Sequence, residues 1–88
     1  MGNYTYLLHC SDGTYYCGWT TDPKRRLKVH NSGKGAKYTR ARRPVELVYL
    51  ERYDTRSEAM KREAAIKKMS HEEKESLVNT YCELTGAL

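Results

Sequence analysis

Residues 15–31 bring together side chains that could hold a phosphate group. The stretch reads YYCGWTTDPKRRLKVHN and contains paired tyrosines, a glycine, an arginine pair and a histidine. Arg26 and His30 are four residues apart, so on a helix they project from the same face. Each has a simpler interpretation alone, Arg26 as an ordinary surface arginine and His30 as a histidine favoured at a helix C-terminus by the dipole. A strand edge leading into a basic helix therefore competes with a phosphate site.

Glu63 is a carboxylate predicted to lie on the apolar face of a helix. The helix that contains it has a predicted apolar stripe made of Ala59, Met60, Ile66 and Met69. Glu63 lies between Met60 and Ile66 on that face, where a carboxylate is costly unless it meets a cation or hydrogen-bond donors. A surface glutamate is the common interpretation. The position nevertheless allows a partly buried carboxylate that faces Arg26 or a divalent ion.

Positive charge is concentrated in one part of the chain. The net charge is +5, and residues 23–45 contain nine basic side chains and no acidic one, against seven basic and nine acidic in residues 44–88. Lysines and arginines often only solvate a surface, but so one-signed a stretch favours nucleic acid as the partner. A membrane partner is not expected, because the stretch lacks a strong apolar face and no apolar run approaches the roughly 20 residues of a span.

Three strands are predicted, at residues 3–10, 14–19 and 45–53. The first two flank Ser11-Asp12-Gly13 and form a hairpin. A two-residue loop would pair Ser11 with Thr14, whereas a three-residue loop would pair Leu8 with Tyr16 and place Gly13 in the left-handed region. We favour the three-residue loop, which puts Tyr4, Tyr6, Tyr16 and Gly18 on one face of the sheet, with the glycine where a backbone could approach closely.

Capping signals predict the helices. Asp22 at N-cap and Pro23 at N1 begin a helix that should end near Gly33, and two Ser/Thr-x-x-Glu boxes begin helices at about 56–69 and 71–81. Residues 35–43 are expected to be a loop with at most one helical turn. The order β-β-α-(loop or short helix)-β-α-α indicates a single α+β domain, a three-stranded antiparallel sheet flanked by helices, with its core at about residues 3–80 and a tail at 82–88.

The cysteines and the N-terminus indicate the compartment. The chain has three cysteines, Cys10, Cys17 and Cys82, and no two of them form a Cys-x-x-Cys pair. An odd count without such a pair favours reduced thiols over a disulfide framework or a zinc site. The N-terminus lacks the basic and apolar regions of a signal peptide. A cytoplasmic location is therefore expected.

The ordered set of motifs resembles the GIY-YIG nuclease domain, in particular its small stand-alone bacterial members. Tyr4-Thr5-Tyr6 matches the first motif and Tyr16-Cys17-Gly18 the second, although the motif names have Gly and Ile at positions 4 and 5 and Ile at position 17. Arg26 and His30 match the family's helix arginine and histidine, and Glu63 matches its metal-ligand glutamate. The resemblance covers about residues 3–80 and includes the stretch HNSGKGAKYTR.

The resemblance implies a metal-dependent endonuclease that hydrolyses phosphodiester bonds, in DNA more than RNA, with repair or recombination as its setting. Glu63 would hold one Mg²⁺ or Mn²⁺, Arg26 would bind the phosphate, and Tyr16 would act as general base or proton relay. A free phenol has a pKa of about 10, so the site would have to lower it. Tyr6 and His30 would position water or phosphate, with His30 as the alternative base.

The basic stretch would then track the nucleic-acid backbone. The residues assigned to this contact are Lys34, Lys37, Tyr38, Arg40, Arg42 and Arg43, with Tyr38 available to stack on a base. The alternative is a non-catalytic nucleic-acid-binding module of the same fold. The complete catalytic set favours the enzyme, and the lack of room for a separate specificity domain favours the binder. A monomer is expected.

Overall fold

A three-stranded antiparallel sheet in the order β2-β1-β3 organises the structure, a computed structural model that describes residues 2–85. The strands are β1 (Asn3–His9), β2 (Tyr15–Thr20) and β3 (Glu46–Tyr53). The helices are α1 (Pro23–Asn31), α2 (Lys37–Arg40), α3 (Arg56–Lys67) and α4 (His71–Thr85). The element order and the fold class confirm the sequence prediction.

The β1–β2 hairpin has the three-residue loop. Leu8 pairs with Tyr16 and Tyr6 with Gly18, while Cys10 N–H donates to the Thr14 carbonyl at 2.8 Å. Gly13 has a φ of +85°, which a side chain would disfavour. The tyrosines at positions 4, 6 and 16 therefore share one face, as predicted.

The two faces of the sheet are covered by different helices. On one face, a buried cluster joins Leu7 and Cys17 to Ile66 of α3 and Val78 of α4. On the other, Tyr6, Leu8 and Val45 form a cluster against which Leu27 of α1 packs. The loss of this apolar surface from water is the main stabilisation of both layers.

The helix caps match the sequence signals. The Asp22 carboxylate accepts the Arg25 N–H at 3.2 Å, and the Thr55 hydroxyl accepts the Glu58 N–H at 3.2 Å. At the start of α4, the Glu73 N–H donates to the Ser70 hydroxyl while the Glu73 carboxylate accepts the Ser70 N–H. This is a complete capping box, in which two otherwise unpaired donors are satisfied reciprocally.

Helix α4 is longer than predicted. It continues to Thr85, so the start of the expected tail at residue 82 is wrong. Cys82 is 7% exposed and belongs to the same buried cluster as Val78, one helical turn earlier. Burial of that thiol gives the last turn a reason to form, and the end of the expected tail lies outside the described residues.

The predicted stripe of α3 is also partly wrong. Met60 is 41% exposed, whereas Ala59 and Ile66 are fully buried. A helix turns about 100° per residue, so Ala59 and Ile66 define one line while Met60 points well away from it. Glu63 lies only about 40° from Ala59 on the same geometry. None of the helices formed by residues 2–85 has the length and hydropathy needed to cross a bilayer.

Candidate active site

Tyr6 lies at the centre of the site, on β1 opposite Gly18. Its side chain is 2% exposed, and its hydroxyl is 3.0 Å from His30 Nε2. A Cβ on Gly18 would collide with the Tyr6 hydroxyl and lie 2.6 Å from Cζ. The space beside the glycine is therefore filled by the phenol of Tyr6 itself. The expectation that it serves the approach of an outside backbone is wrong.

Tyr6 keeps its phenolic proton in neutral solution, and burial strengthens that preference. Desolvation raises the pKa of Tyr6 to about 12, although a side-chain hydrogen bond from Arg26 and its charge act in the opposite direction. A phenol with this pKa keeps its proton at neutral pH. With so little exposed surface, Tyr6 faces its protein neighbours, and the geometry does not support the predicted role of positioning water or phosphate.

His30 is enclosed completely. It is 0% exposed, and its two ring nitrogens face Tyr6 and, at 2.9 Å, the hydroxyl of Thr39. Gly35 covers the ring so closely that a Cβ there would lie 2.6 Å from Nδ1. Burial, with the charge of Arg26, lowers the pKa of His30. With both ring nitrogens directed at protein groups, His30 has none open to phosphate in this structure, and the geometry does not support its predicted roles at the phosphate and as the alternative base.

Tyr16 and Arg26 are the two members of the set that are partly exposed on this face. The Tyr16 ring lies 5.2 Å from the His30 ring and 5.9 Å from the Tyr38 ring, centroid to centroid. The Arg26 guanidinium borders Tyr6 and also lines a cavity of about 310 Å³ between the end of β2 and the start of α1. The open part of the site thus offers a phenol and a guanidinium, both backed by the buried Tyr6–His30 pair.

Glu63 lies on the other side of edge strand β2. Its backbone carbonyl accepts a weak hydrogen bond of 3.8 Å from the Cys17 thiol, and Cys17 faces the layer opposite to Tyr16. The Glu63 side chain is 19% exposed and its carboxylate is 3.8 Å from Lys67 Nζ. The cation beside this half-buried carboxylate is therefore Lys67 and not Arg26.

The metal site predicted at Glu63 would depend on a single carboxylate of the protein. Within residues 2–85, no group of three or more His, Cys, Asp or Glu side chains is arranged to hold an ion. Mg²⁺ is commonly bound through one or two carboxylates, with substrate phosphate and water as the other ligands. One partly exposed carboxylate with hard oxygen donors fits an ion of this kind, bound together with the substrate.

Two arginines of the basic segment, residues 34–43, are tied to the protein itself. Arg42 donates to Asp12 at 2.9 Å and to the Tyr38 carbonyl at 2.8 Å, and its guanidinium lies 3.9 Å above the Tyr38 ring. Arg43 donates to the Arg40 and Asn31 carbonyls at 2.9 and 3.4 Å. These contacts order the segment. The guanidinium groups of Arg42 and Arg43 are thus already engaged within the protein before a partner binds.

The other members of the basic segment face outward. Lys34, Lys37, Tyr38 and Arg40 are exposed, and the ion pairs found in the described part of the chain include none of the three cations among them. Since the Tyr38 ring neighbours Tyr16, this surface adjoins the open part of the site.

Thr39 and Asn31 were missed by the sequence reasoning. Thr39 is fully buried on the inner side of α2, where its hydroxyl is 2.9 Å from His30 Nδ1. The Asn31 side chain bonds both the N–H and the carbonyl of Val45, at 2.8 and 3.0 Å, and so joins the end of α1 to the start of β3. A four-residue helix has no periodicity that reveals an inward face. The only sequence signal was a small polar residue among basic ones, close to Gly33 and Gly35.

Comparison with known proteins finds a family model and a group of close relatives. The model described as the GIY-YIG catalytic domain matches residues 2–76. A UPF0213 protein of Syntrophus aciditrophicus is 60% identical over 77 residues, which cover 86% of this chain and 88% of that protein. One from Enterococcus faecalis is 53% identical over 81 residues, covering 90% and 92%.

Solved structures of similar chains have the same fold. The solution NMR structure of a UPF0213 protein from Bacillus halodurans has a TM-score of 0.59 and 49% identity, and the match covers 91% of this chain and 85% of that one. The NMR structure of an E. faecalis protein has a TM-score of 0.62 and 52% identity, with 92% and 86% covered.

Proposed function

Because the chain belongs to the GIY-YIG family of catalytic domains, which implies a nuclease-type function on nucleic acid, we propose that it is a metal-dependent endonuclease of DNA. It would hydrolyse phosphodiester bonds in the course of repair or recombination. The observation that carries the proposal is the meeting of Tyr16 and Arg26 at the open side of a buried Tyr6–His30 pair.

Arg26 is suited to the charge that develops on a phosphate. Its guanidinium is planar, always charged and able to donate two parallel hydrogen bonds to phosphate oxygens. Contact with Tyr6 restrains the side chain before any substrate binds. Restraint of this kind is what electrostatic stabilisation of a transition state requires, because the donors need not reorganise during the reaction.

Tyr16 is the candidate for the proton transfer. Of the two phenols, Tyr6 and Tyr16, it is the one that solvent can reach. Its ring contacts both His30 and Tyr38. Contacts on two sides limit the rotation of the ring and hold its hydroxyl at the open side of the site. Once deprotonated, a phenol held in this way can accept a proton from a water molecule aligned with the phosphate; while protonated, it can only relay one.

Glu63 would complete the site from across β2. Its carboxylate would hold a divalent ion, Mg²⁺ or Mn²⁺, which would supply Lewis-acid chemistry at the phosphate. Lys67 neutralises the carboxylate in the free protein, since the two are four residues apart on α3 and form an ion pair. The outward cations Lys34, Lys37 and Arg40 would meet neighbouring phosphates.

The alternative, a binding module of the same fold, has one observation in its favour. Glu63 is paired with a lysine, and among the described residues no second carboxylate joins it in a metal-ligating group. Such a module would still bind nucleic acid through the basic segment, but it would not cleave it.

The deciding experiment is a cleavage and binding assay on the full chain. Single-stranded, duplex and branched DNA and matched RNA would be incubated with Mg²⁺, Mn²⁺ or chelator. Glu63→Gln should lower cleavage about 100-fold or more, because it removes the metal-ligating charge, while binding stays within a few-fold of wild type. Glu83→Gln, an exposed glutamate on α4, is the matched control and should cleave normally.

The outcomes separate the two functions. Metal-dependent cleavage that Tyr16→Phe and Glu63→Gln both remove supports the endonuclease. Undiminished cleavage by Glu63→Gln would show that the metal assignment is wrong. Tight binding of every substrate without cleavage would favour the module, and cleavage of RNA alone would overturn the choice of DNA.

A further inference from the structure

A line of hydrogen bonds runs from Thr39, in the basic segment, through His30 to Tyr6 in the proposed active site. Its hydroxyl oxygen is 2.9 Å from the Ala36 carbonyl and 2.9 Å from His30 Nδ1. His30 Nε2 is in turn 3.0 Å from the Tyr6 hydroxyl. Thr39 and His30 are fully buried and Tyr6 is 2% exposed, so these groups must satisfy one another with little help from water.

One direction of the line gives every proton in it an acceptor. The Ala36 carbonyl accepts from the Thr39 hydroxyl, besides the backbone N–H groups of Thr39 and Arg40, and with the hydroxyl proton placed there the Thr39 oxygen accepts from His30. A neutral imidazole carries one proton, which this places on Nδ1, and Nε2 must then accept the proton of Tyr6. The Tyr6 oxygen is left as an acceptor, and the neighbouring Arg26 guanidinium only donates.

We propose that Thr39 is a positioning residue that holds His30 as the Nδ1–H tautomer and thereby orients Tyr6 to receive Arg26. The inference rests on the proposed function and deepens it at the same site. Arg26, which would bind the phosphate, is then oriented by Thr39 of α2 through His30 and Tyr6. Neither Thr39 nor His30 touches the substrate.

The placement of Thr39 links this line to the proposed nucleic-acid contact. Lys37 and Arg40 lie on the same four-residue helix and are exposed, whereas Thr39 between them is buried. The close approach of Gly35 to the imidazole holds the other side of His30. A shift of α2 on binding nucleic acid would therefore reach the Arg26 guanidinium through three hydrogen bonds.

The test compares Thr39→Val with Thr39→Ser in the full chain. Valine has nearly the shape of threonine but no hydroxyl, and serine restores the hydroxyl. Long-range ¹H–¹⁵N NMR of the His30 ring near neutral pH reports which nitrogen carries the proton. We expect the Nδ1–H form in wild type and Thr39→Ser. In Thr39→Val a substantial Nε2–H population and changed Arg26 guanidinium resonances are expected.

Cleavage of DNA is the second readout. Thr39→Val should lose about 10-fold in kcat/KM, the order of one buried hydrogen bond, and Thr39→Ser should stay within about 2-fold of wild type by the same reasoning. Thr5→Val is the matched control. Thr5 is a buried threonine whose hydroxyl donates to the Ala59 carbonyl at 2.8 Å in the other layer. It should cost similar stability while His30 and cleavage are unchanged.

Each outcome decides the proposal. An unchanged tautomer in Thr39→Val overturns it, and so does a changed tautomer with full cleavage. If wild type cleaves no substrate, the proposed function fails separately. The His30 and Arg26 resonances then still support or overturn the orientation of the site by Thr39.

Discussion

Tyr6 and Tyr16 come from similar motifs but occupy different environments. Each lies in a strand of the hairpin and both face the α1 layer. Tyr6 is enclosed by Gly18, His30 and Arg26, whereas Tyr16, on the edge strand, keeps part of its surface open. The central position of β1 in the sheet explains the difference, because a strand with neighbours on both sides exposes less of each side chain. The buried phenol is therefore placed to hold the site, and the partly open one is accessible for the reaction proposed for it.

Gly18→Ala should displace Tyr6. The new Cβ would meet the phenol at a distance that real Cβ atoms do not tolerate, so the ring must move or the strands must separate, at about 1–3 kcal/mol. Urea denaturation should show this loss, and cleavage should fall with it because Tyr6 no longer supports Arg26.

Gly13→Ala is the matched control for that substitution. Gly13 has a φ of +85°, but a Cβ added there would meet no atom within 4 Å, so alanine strains only the turn, at about 1–2 kcal/mol. It should destabilise the chain comparably and leave cleavage per folded molecule unchanged. Equal losses of activity in the two variants would contradict a specific role for Gly18.

At the scale of elements, α2 and the loops around it combine two tasks. Arg42 and Arg43 hold the segment through carbonyls and Asp12, and Thr39 fastens it to His30. The Asp12 carboxylate has its pKa lowered chiefly by its hydrogen bond with Thr14, with Arg42 contributing. A segment fastened in this way can present its outward cations in a defined arrangement.

The two kinds of basic residue should respond differently to neutralisation. Replacing Lys34, Lys37 and Arg40 together by Gln should weaken DNA binding and reduce the slope of log K against log salt by about 2–3, since each phosphate contact contributes about 0.7–0.9. Arg42→Gln and Arg43→Gln should mainly lower the free energy of unfolding. Fluorescence anisotropy at several salt concentrations and urea denaturation give the two quantities. An unchanged salt slope in the triple variant would remove this segment from the interface.

At the scale of the whole molecule, the buried titratable groups predict a stability maximum near neutral pH. Burial raises the pKa of Tyr6 to about 12 from 10 and that of Cys17 to about 12 from 9. The unfolded chain therefore releases these protons first, and stability that is complete below about pH 9 is lost as the pH rises towards 12. The pKa of His30 is lowered, so stability is also lost as the pH falls below about 6.5.

Urea denaturation from pH 5 to 11, followed by Trp19 fluorescence, would measure this profile. The alkaline loss should amount to a few kcal/mol, at about 1.4 kcal/mol for each unit of pKa difference. Tyr6→Phe should make the alkaline limb shallower, because one of the groups with a raised pKa is removed. A flat profile between pH 7 and 11 would contradict the burial of both groups.

The order of elements, the antiparallel sheet and the hairpin register could all be predicted from the sequence. The hairpin register and the helix starts depend on residues close together in the chain, such as Ser11-Asp12-Gly13 in the turn and the Ser70–Glu73 capping box. The pairing of β1 with β3, by contrast, joins residues as distant as Asn3 and Tyr53. The set of chemically suited residues was also visible there, through motif order and charge.

Only the tertiary structure decided which of those residues are enclosed and what each one faces. Tyr6 and His30 are 24 residues apart in the chain, and Glu63 and Cys17 are 46 apart. The burial of Tyr6, the pairing of Glu63 with Lys67 and the inward position of Thr39 follow from how the two helical layers meet the sheet. Solvent exposure and hydrogen-bond partners arise from surfaces brought together over such separations, and a local pattern of residues does not contain that information.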